Sequence, residues 1–220
     1  MVEKGRFGNG IPYVRFGKGE ITLLVFSGGP GNDLPSGFML RMFTRGFKGL
    51  AKKYLIYMMT RKLGLPEGYT TRDMSEDYAN VIRTEFNGCP ADVNGVSYGG
   101  LIAQHLAADH PELIRRLVIA MAAYRVGKEG KELEMSYAEL MSQGKIKDAF
   151  NTMFPIFNIG GIKKYLFKFF MWVFGSFIWK KPTNPLDLVV EAKAESNHDT
   201  KNRLAEIKVP TLVIAGEEDY

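Results

Sequence analysis

The residues with the clearest chemical promise are Gly95-Val96-Ser97-Tyr98-Gly99, a G-x-S-x-G run. An apolar strand candidate at residues 90–94 precedes it, and a helical pattern at 98–109 follows at once. A serine between a strand and a helix is what a nucleophile elbow requires. The turn is tight, so the positions two residues to either side must be small, and Gly95, Gly99 and Gly100 meet that demand. The helix that starts behind Ser97 aims its positive dipole end at the place where an oxyanion would form. The five-residue match alone is weak, and its setting carries the argument.

Acyl transfer at such a serine needs further parts. A second backbone N–H donor must face it from a loop at the same end of the sheet. Ser27-Gly28-Gly29-Pro30-Gly31 follows a strand candidate at 21–26, and its glycines and proline suit neither a continued strand nor a helix start. An orienting carboxylate belongs at another strand end. Gly216-Glu217-Glu218-Asp219 follows a strand candidate at 211–215 and offers three acids. The general base is harder to place. His105 sits well down the helix behind Ser97, about 12 Å along its axis at ~1.5 Å per residue, beyond the ~3 Å reach of proton transfer. His110 lies further along, and His198 precedes the last strand.

The positioning elements follow from periodicity. Residues 11–16 and 21–26 read as strands, joined as a hairpin about Gly17-Lys18-Gly19-Glu20. Helical spacing covers 38–52 and 71–86, the second starting near Thr71 or Asp73, while 54–59 and 117–122 read as buried strands. Alternation of strands and helices from 21 to 123 predicts an α/β fold with a mostly parallel sheet flanked by helices. The alternation stops at Ala123, and 125–206 is helical in pattern. The expected organisation is a core in 1–124, a helical cap insertion in 125–206, and the core resuming in 207–220.

Within the cap, residues 161–181 hold eight aromatic side chains and five lysines without an acid. Three readings stand: a wall for an acyl or aryl group, a membrane-touching surface, or a cap helix packed on the core with its lysines snorkelling. Met141, Met153 and Phe154 are candidates for the same wall.

The 220 residues are 45% hydrophobic and 24% charged, which excludes a disordered or fibrous chain. The formal charge of +5 is not gathered into arginine stripes, so no nucleic-acid partner is expected. The single cysteine, Cys89, has no internal partner, and a reducing cytoplasmic setting is expected. The N-terminus lacks the apolar segment of a signal peptide, and no run is long and apolar enough to span a membrane. No cofactor or metal is expected.

Four stretches, SGGPGND (27–33), GYTTRDMSEDYANVI (68–82), NGVSYGGLIAQHLAADHPELIRRLVI (94–119) and VPTLVIAGEED (209–219), resemble the α/β-hydrolase superfamily of esterases, lipases and aminopeptidase-like serine hydrolases. The resemblance implies Ser97 as nucleophile, Asp219 as triad acid, and the N–H groups of Gly29 and Tyr98 as the oxyanion hole. It also implies a variable helical cap where 125–206 stands. Ser27 takes the place of a histidine that often opens the glycine loop in this family. The family's triad histidine follows one further strand beyond the acid, so the resemblance implies a C-terminally truncated chain with its last strand and helix missing. The expected activity is hydrolysis of ester or related acyl bonds in a small apolar acyl or aryl substrate. The alternatives are an aminopeptidase-like enzyme, for which the sequence identifies no acidic amine pocket, hydrolysis of a C–C bond or lactone, and a non-catalytic chain.

Overall fold

A computed structural model describes residues 2–153, 165 and 182–216. Seven strands form one sheet: β1 (Glu3–Arg6), β2 (Pro12–Gly17), β3 (Ile21–Phe26), β4 (Tyr54–Met59), β5 (Ala91–Val96), β6 (Ile114–Ala120) and β7 (Thr211–Ile214). Their order is β1-β2-β4-β3-β5-β6-β7. From β4 to β7 every neighbouring pair is parallel, and β1 and β2 add an antiparallel edge.

One element is added and one expectation is corrected here. The segment before residue 11 contributes a strand, β1, whose polar, glycine-containing sequence gave no alternation to read. The hairpin of 11–16 with 21–26 does not form, because β4 lies between β2 and β3. The glycines at 17 and 19 serve a different approach from a hairpin turn. A Cβ at Gly17 would meet the Tyr54 carbonyl oxygen at 2.2 Å, and one at Gly19 would meet the Lys53 carbonyl group at 1.9 Å. Lys18 N–H donates to the Ala51 carbonyl at 3.0 Å. These glycines let the chain pass against the start of β4 before β3 begins.

Six helices complete the described residues: α1 (Gly37–Gly46), α2 (Thr71–Glu85), α3 (Tyr98–Asp109), α4 (Lys128–Ser142), α5 (Ile146–Met153) and α6 (Pro185–Ser196). The helix expected over 38–52 stops at Gly46 and resumes only as a 3-10 turn at Leu50–Lys52. Gly46 and Gly49 account for the break, since glycine costs a helix ~1 kcal/mol relative to alanine. α2 starts at Thr71, as the periodicity predicts, and Thr70 caps it. Its side chain accepts from Asp73 N–H while the Asp73 carboxylate accepts from Thr70 N–H. Thr70→Ala is expected to destabilise the fold by about 1 kcal/mol, seen as a lower urea midpoint with unchanged slope.

The pleat sends alternate residues of β3 to opposite faces. Leu24 and Phe26 join Met74, Tyr78 and Ile82 of α2 and Ile102 and Leu106 of α3. Leu23 and Val25 join Val14, Phe16, Ile56 and Met58, with Leu40 and Phe47 packed on them. A third cluster holds Tyr137 and Met141 of α4 against Leu188 and Ala192 of α6. Met141 is therefore a packing residue between helices. Among the described residues, no helix is long and apolar enough to cross a membrane. The aromatic segment at 161–181, apart from exposed Tyr165, lies outside the described residues, as do the Met153 side chain and Phe154.

Candidate active site

Ser97 stands between β5 and α3 with φ 48° and ψ −119°. A side chain in this left-handed region costs about 1–3 kcal/mol, which the surroundings must offset. They do so by close approach of glycines. A Cβ at Gly99 would lie 2.1 Å from the Phe26 carbonyl oxygen, and one at Gly95 would lie 2.7 Å from Gly100 Cα and the Gly99 oxygen. Ser97 N–H donates to Ala120 O at 2.8 Å, and Gly100 N–H donates to Ser97 O at 2.7 Å. The main chain is thus tied on both sides of the serine.

The glycine loop after β3 lies beside this turn. Phe26 is in register with Gly95, and a Cβ at Gly28 would sit 3.0 Å from Ser97 Cβ and 2.7 Å from Val96 O. Gly29 is exposed, has φ +76°, and has no atom within 4 Å of where a Cβ would stand. Tyr98 occupies the first turn of α3, where backbone N–H groups lack intrahelical partners. Its ring is buried and its hydroxyl donates to Glu191 O at 3.0 Å.

Three residues that the sequence did not single out, Arg61, Glu191 and Asp187, hold this loop and the segment after β4. Arg61, just past β4, is 1% exposed. Its guanidinium donates to Ser27 O (3.1 Å), Gly29 O (2.9 Å) and Gly31 O (2.6 Å). It also pairs in a two-pronged fashion with Glu191 of α6, each bond 2.9 Å. The second Glu191 oxygen accepts from Gly31 N–H at 2.6 Å. Asp187, one turn earlier on α6, accepts from Gly64 N–H and Leu65 N–H at 2.9 Å and from the Asn32 amide at 2.6 Å. The only sequence signal for Arg61 was a charge directly after a buried apolar strand.

The histidines are engaged elsewhere. His198 is buried, its Nδ1 2.9 Å from Thr71 Oγ1, and its ring stacks edge-on with His105 at 5.1 Å. His105 is two turns down α3 from Ser97, so the pair is remote from the elbow. Burial pushes both imidazoles down to about 4. His110 Nε2 lies 2.8 Å from Glu76 Oε1, at the far end of α3. His198→Gln is therefore expected to leave any Ser97-dependent ester hydrolysis unchanged, measured as kcat on an aryl ester. Asp219, with Glu217 and Glu218, lies outside the described residues. Among the described residues no three His, Cys, Asp or Glu side chains are grouped to hold a metal ion.

Glu134 of α4 and Glu195 of α6 are half-buried and share the field of Glu191 and Arg61. Burial first, then repulsion from neighbouring carboxylates, raises them to about 7 and about 8. The unfolded chain releases these protons near 4.5. Their contribution to stability is full below 4.5 and is lost as pH rises to about 8. The two buried histidines act oppositely: their contribution is full above 6.5 and is lost as pH falls to about 4. The urea midpoint should therefore change little between these limits, where the two effects oppose. It should fall from pH 6.5 to 8, and Glu195→Gln should remove part of that fall. A Glu195→Gln variant with the same alkaline decline as the wild type would contradict this assignment.

A family model described as alpha/beta hydrolase fold matches residues 22–220, and the chain belongs to this family. Its fold is similar to the enol-lactonase of Burkholderia xenovorans LB400, with TM-score 0.71 and 21% identity, covering 98% of this chain and 81% of that one. It is also similar to a thermophilic esterase of Thermogutta terrifontis, with TM-score 0.69 and 18% identity, covering 99% and 80%. A Mycobacterium tuberculosis protein named as a non-heme bromoperoxidase, BpoC, is 37% identical over 78 residues. That match covers 36% of this chain and spans 29% of the relative's length.

Proposed function

We propose that the protein is a serine hydrolase of ester or related acyl bonds, acting on a small apolar acyl or aryl substrate. Residues 1–124 and 207–220 form its core and 125–206 its helical cap. In this reading Ser97 Oγ attacks the carbonyl carbon, and the oxyanion accepts from the N–H groups of Tyr98 and Gly29. Collapse of the adduct expels the leaving oxygen, which takes up the proton given up by Ser97 Oγ and departs as the alcohol; water then cleaves the acyl-serine to the free acid and restores the serine hydroxyl. Asp219 takes the role of the orienting acid. The observation that carries the reading is the strained φ of Ser97 at a strand–helix turn, packed against the Gly28–Gly29 loop. A fluorophosphonate probe tests it by intact mass. One adduct on the wild type and none on Ser97→Ala is expected, and labelling that survives Ser97→Ala would refute it.

The carboxyls Glu134 of α4 and Glu195 of α6, half-buried where the two helices pack, favour a second, aminopeptidase-like reading in which a substrate ammonium sits among them. Faster cleavage of an aminoacyl 4-nitroanilide than of the matching acetyl anilide, lost in Glu195→Gln, would select that reading over the ester reading.

A further inference from the structure

We infer that Arg61 is the positioning residue of the oxyanion loop, and that Glu191 extends this control to α6. The inference rests on the serine-hydrolase reading of Ser97 and deepens it. The donor in question, Gly29 N–H, belongs to the peptide joining residues 28 and 29. The planar peptides on either side of it, 27–28 and 29–30, each have their carbonyl oxygen held by the Arg61 guanidinium, at 3.1 Å and 2.9 Å. Because each peptide is rigid and trans, holding the two flanking carbonyls fixes the positions of Gly28 Cα and Gly29 Cα, so the peptide that carries Gly29 N–H keeps its place and its axis, and only rotation about that axis is left. The third carbonyl, Gly31 O at 2.6 Å, anchors the far end of the loop.

The loop does not hold itself. Gly29 and Gly31 have φ +76° and +94°, and glycines in such conformations are free to flip between wells. The position of Pro30 has no N–H with which to anchor to the sheet. Only a group with several donors in a fixed fork can gather three converging carbonyls and a carboxylate, and guanidinium has that shape. An ammonium at the same place keeps the charge and loses the fork. A carbonyl oxygen gathered on Arg61 is also a negative dipole end kept off the oxyanion.

Glu191 makes the arrangement depend on the helix. Its carboxylate neutralises Arg61, which is itself buried, and accepts from Gly31 N–H, while its main-chain oxygen accepts from the Tyr98 hydroxyl. Tyr98 is the residue proposed to give the other oxyanion donor. Both halves of the hole are therefore fastened to one residue of α6. A displacement of α6 would be felt by both.

The test uses phenylboronic acid against the wild type, Arg61→Lys and Ser97→Ala. Addition of Ser97 Oγ to boron forms an O–B bond, turns trigonal boron into a tetrahedral anion, and releases the serine proton to solvent or a base. The tetrahedral signal in the boron NMR spectrum reports the adduct. Benzyl alcohol, which presents the same ring without forming an anion, serves as the control for ground-state binding. In folded Arg61→Lys, boronate affinity should fall on the order of 100-fold, the cost of a misplaced catalytic group, with benzyl alcohol affinity unchanged. Glu191→Gln, which keeps the side-chain volume, should move the same ratio in the same direction and serves if Arg61→Lys does not fold. Equal loss of both ligands means a general structural role and overturns the inference, as does full boronate affinity in either variant. A wild type whose adduct persists in Ser97→Ala overturns the nucleophile reading first, and the inference with it.

Discussion

Arg61→Met is expected to lower stability by about 3–5 kcal/mol, the usual cost of removing one partner from a buried ion pair. The pair is 1% exposed on both sides, so the Glu191 carboxylate left behind has little water to turn to. Three carbonyls lose their donor at the same time. The double variant Arg61→Met with Glu191→Leu should recover a large part of the loss, because neither member of the pair is then left as an unpaired buried charge. Urea unfolding of the wild type, the two single variants and the double variant gives the cycle directly. Additive losses would mean that the pair is not the origin of the effect.

Gly99→Ala is the second large effect, expected at about 3 kcal/mol, the upper end of the usual cost of overpacking. The contact is with the Phe26 carbonyl oxygen at 2.1 Å, main chain that is itself pinned within the sheet centre. Relief requires α3 to move off β3, and Ser97 would move with it. Gly29→Ala provides the contrast. It introduces no clash, only a left-handed conformation, and should cost about 1 kcal/mol. Urea midpoints of the two variants decide the matter, and a Gly99→Ala protein within 0.5 kcal/mol of wild type, about the size of an ordinary surface substitution, would show the approach to be softer than described.

Which features were legible in the sequence follows from the range of the interactions involved. β4 and α3 were found to the residue, because periodicity and the G-x-S-x-G turn are local signals. The loop at 27–31 announced itself through glycine content, and the register of Phe26 with Gly95 explains why it meets the elbow. The insertion of β4 between β2 and β3 was not legible. Nothing within 11–26 says whether two adjacent strands pair with each other or admit a third, and Gly17 and Gly19 looked like ordinary turn residues. Arg61, Asp187 and Glu191 were missed for the same reason in stronger form. A charged residue is read as solvated unless its partner is known, and here the partner is 130 residues away. Glu134 and Glu195 were not singled out either, and packing of α4 on α6 half-buries them.

The bond from Gly31 N–H to Glu191 spans 160 residues. At a synthesis rate of about 5–20 residues per second, those residues take roughly 8–32 s to follow. β5 is complete at Val96, so only for the last 191 − 96 = 95 of those residues, roughly 5–19 s, are β3, β4 and β5 all present while Arg61 waits without its carboxylate. The loop beside Ser97 can therefore be among the last parts of the described chain to set, and a nascent chain stalled before residue 191 should carry a finished elbow beside an unfinished loop.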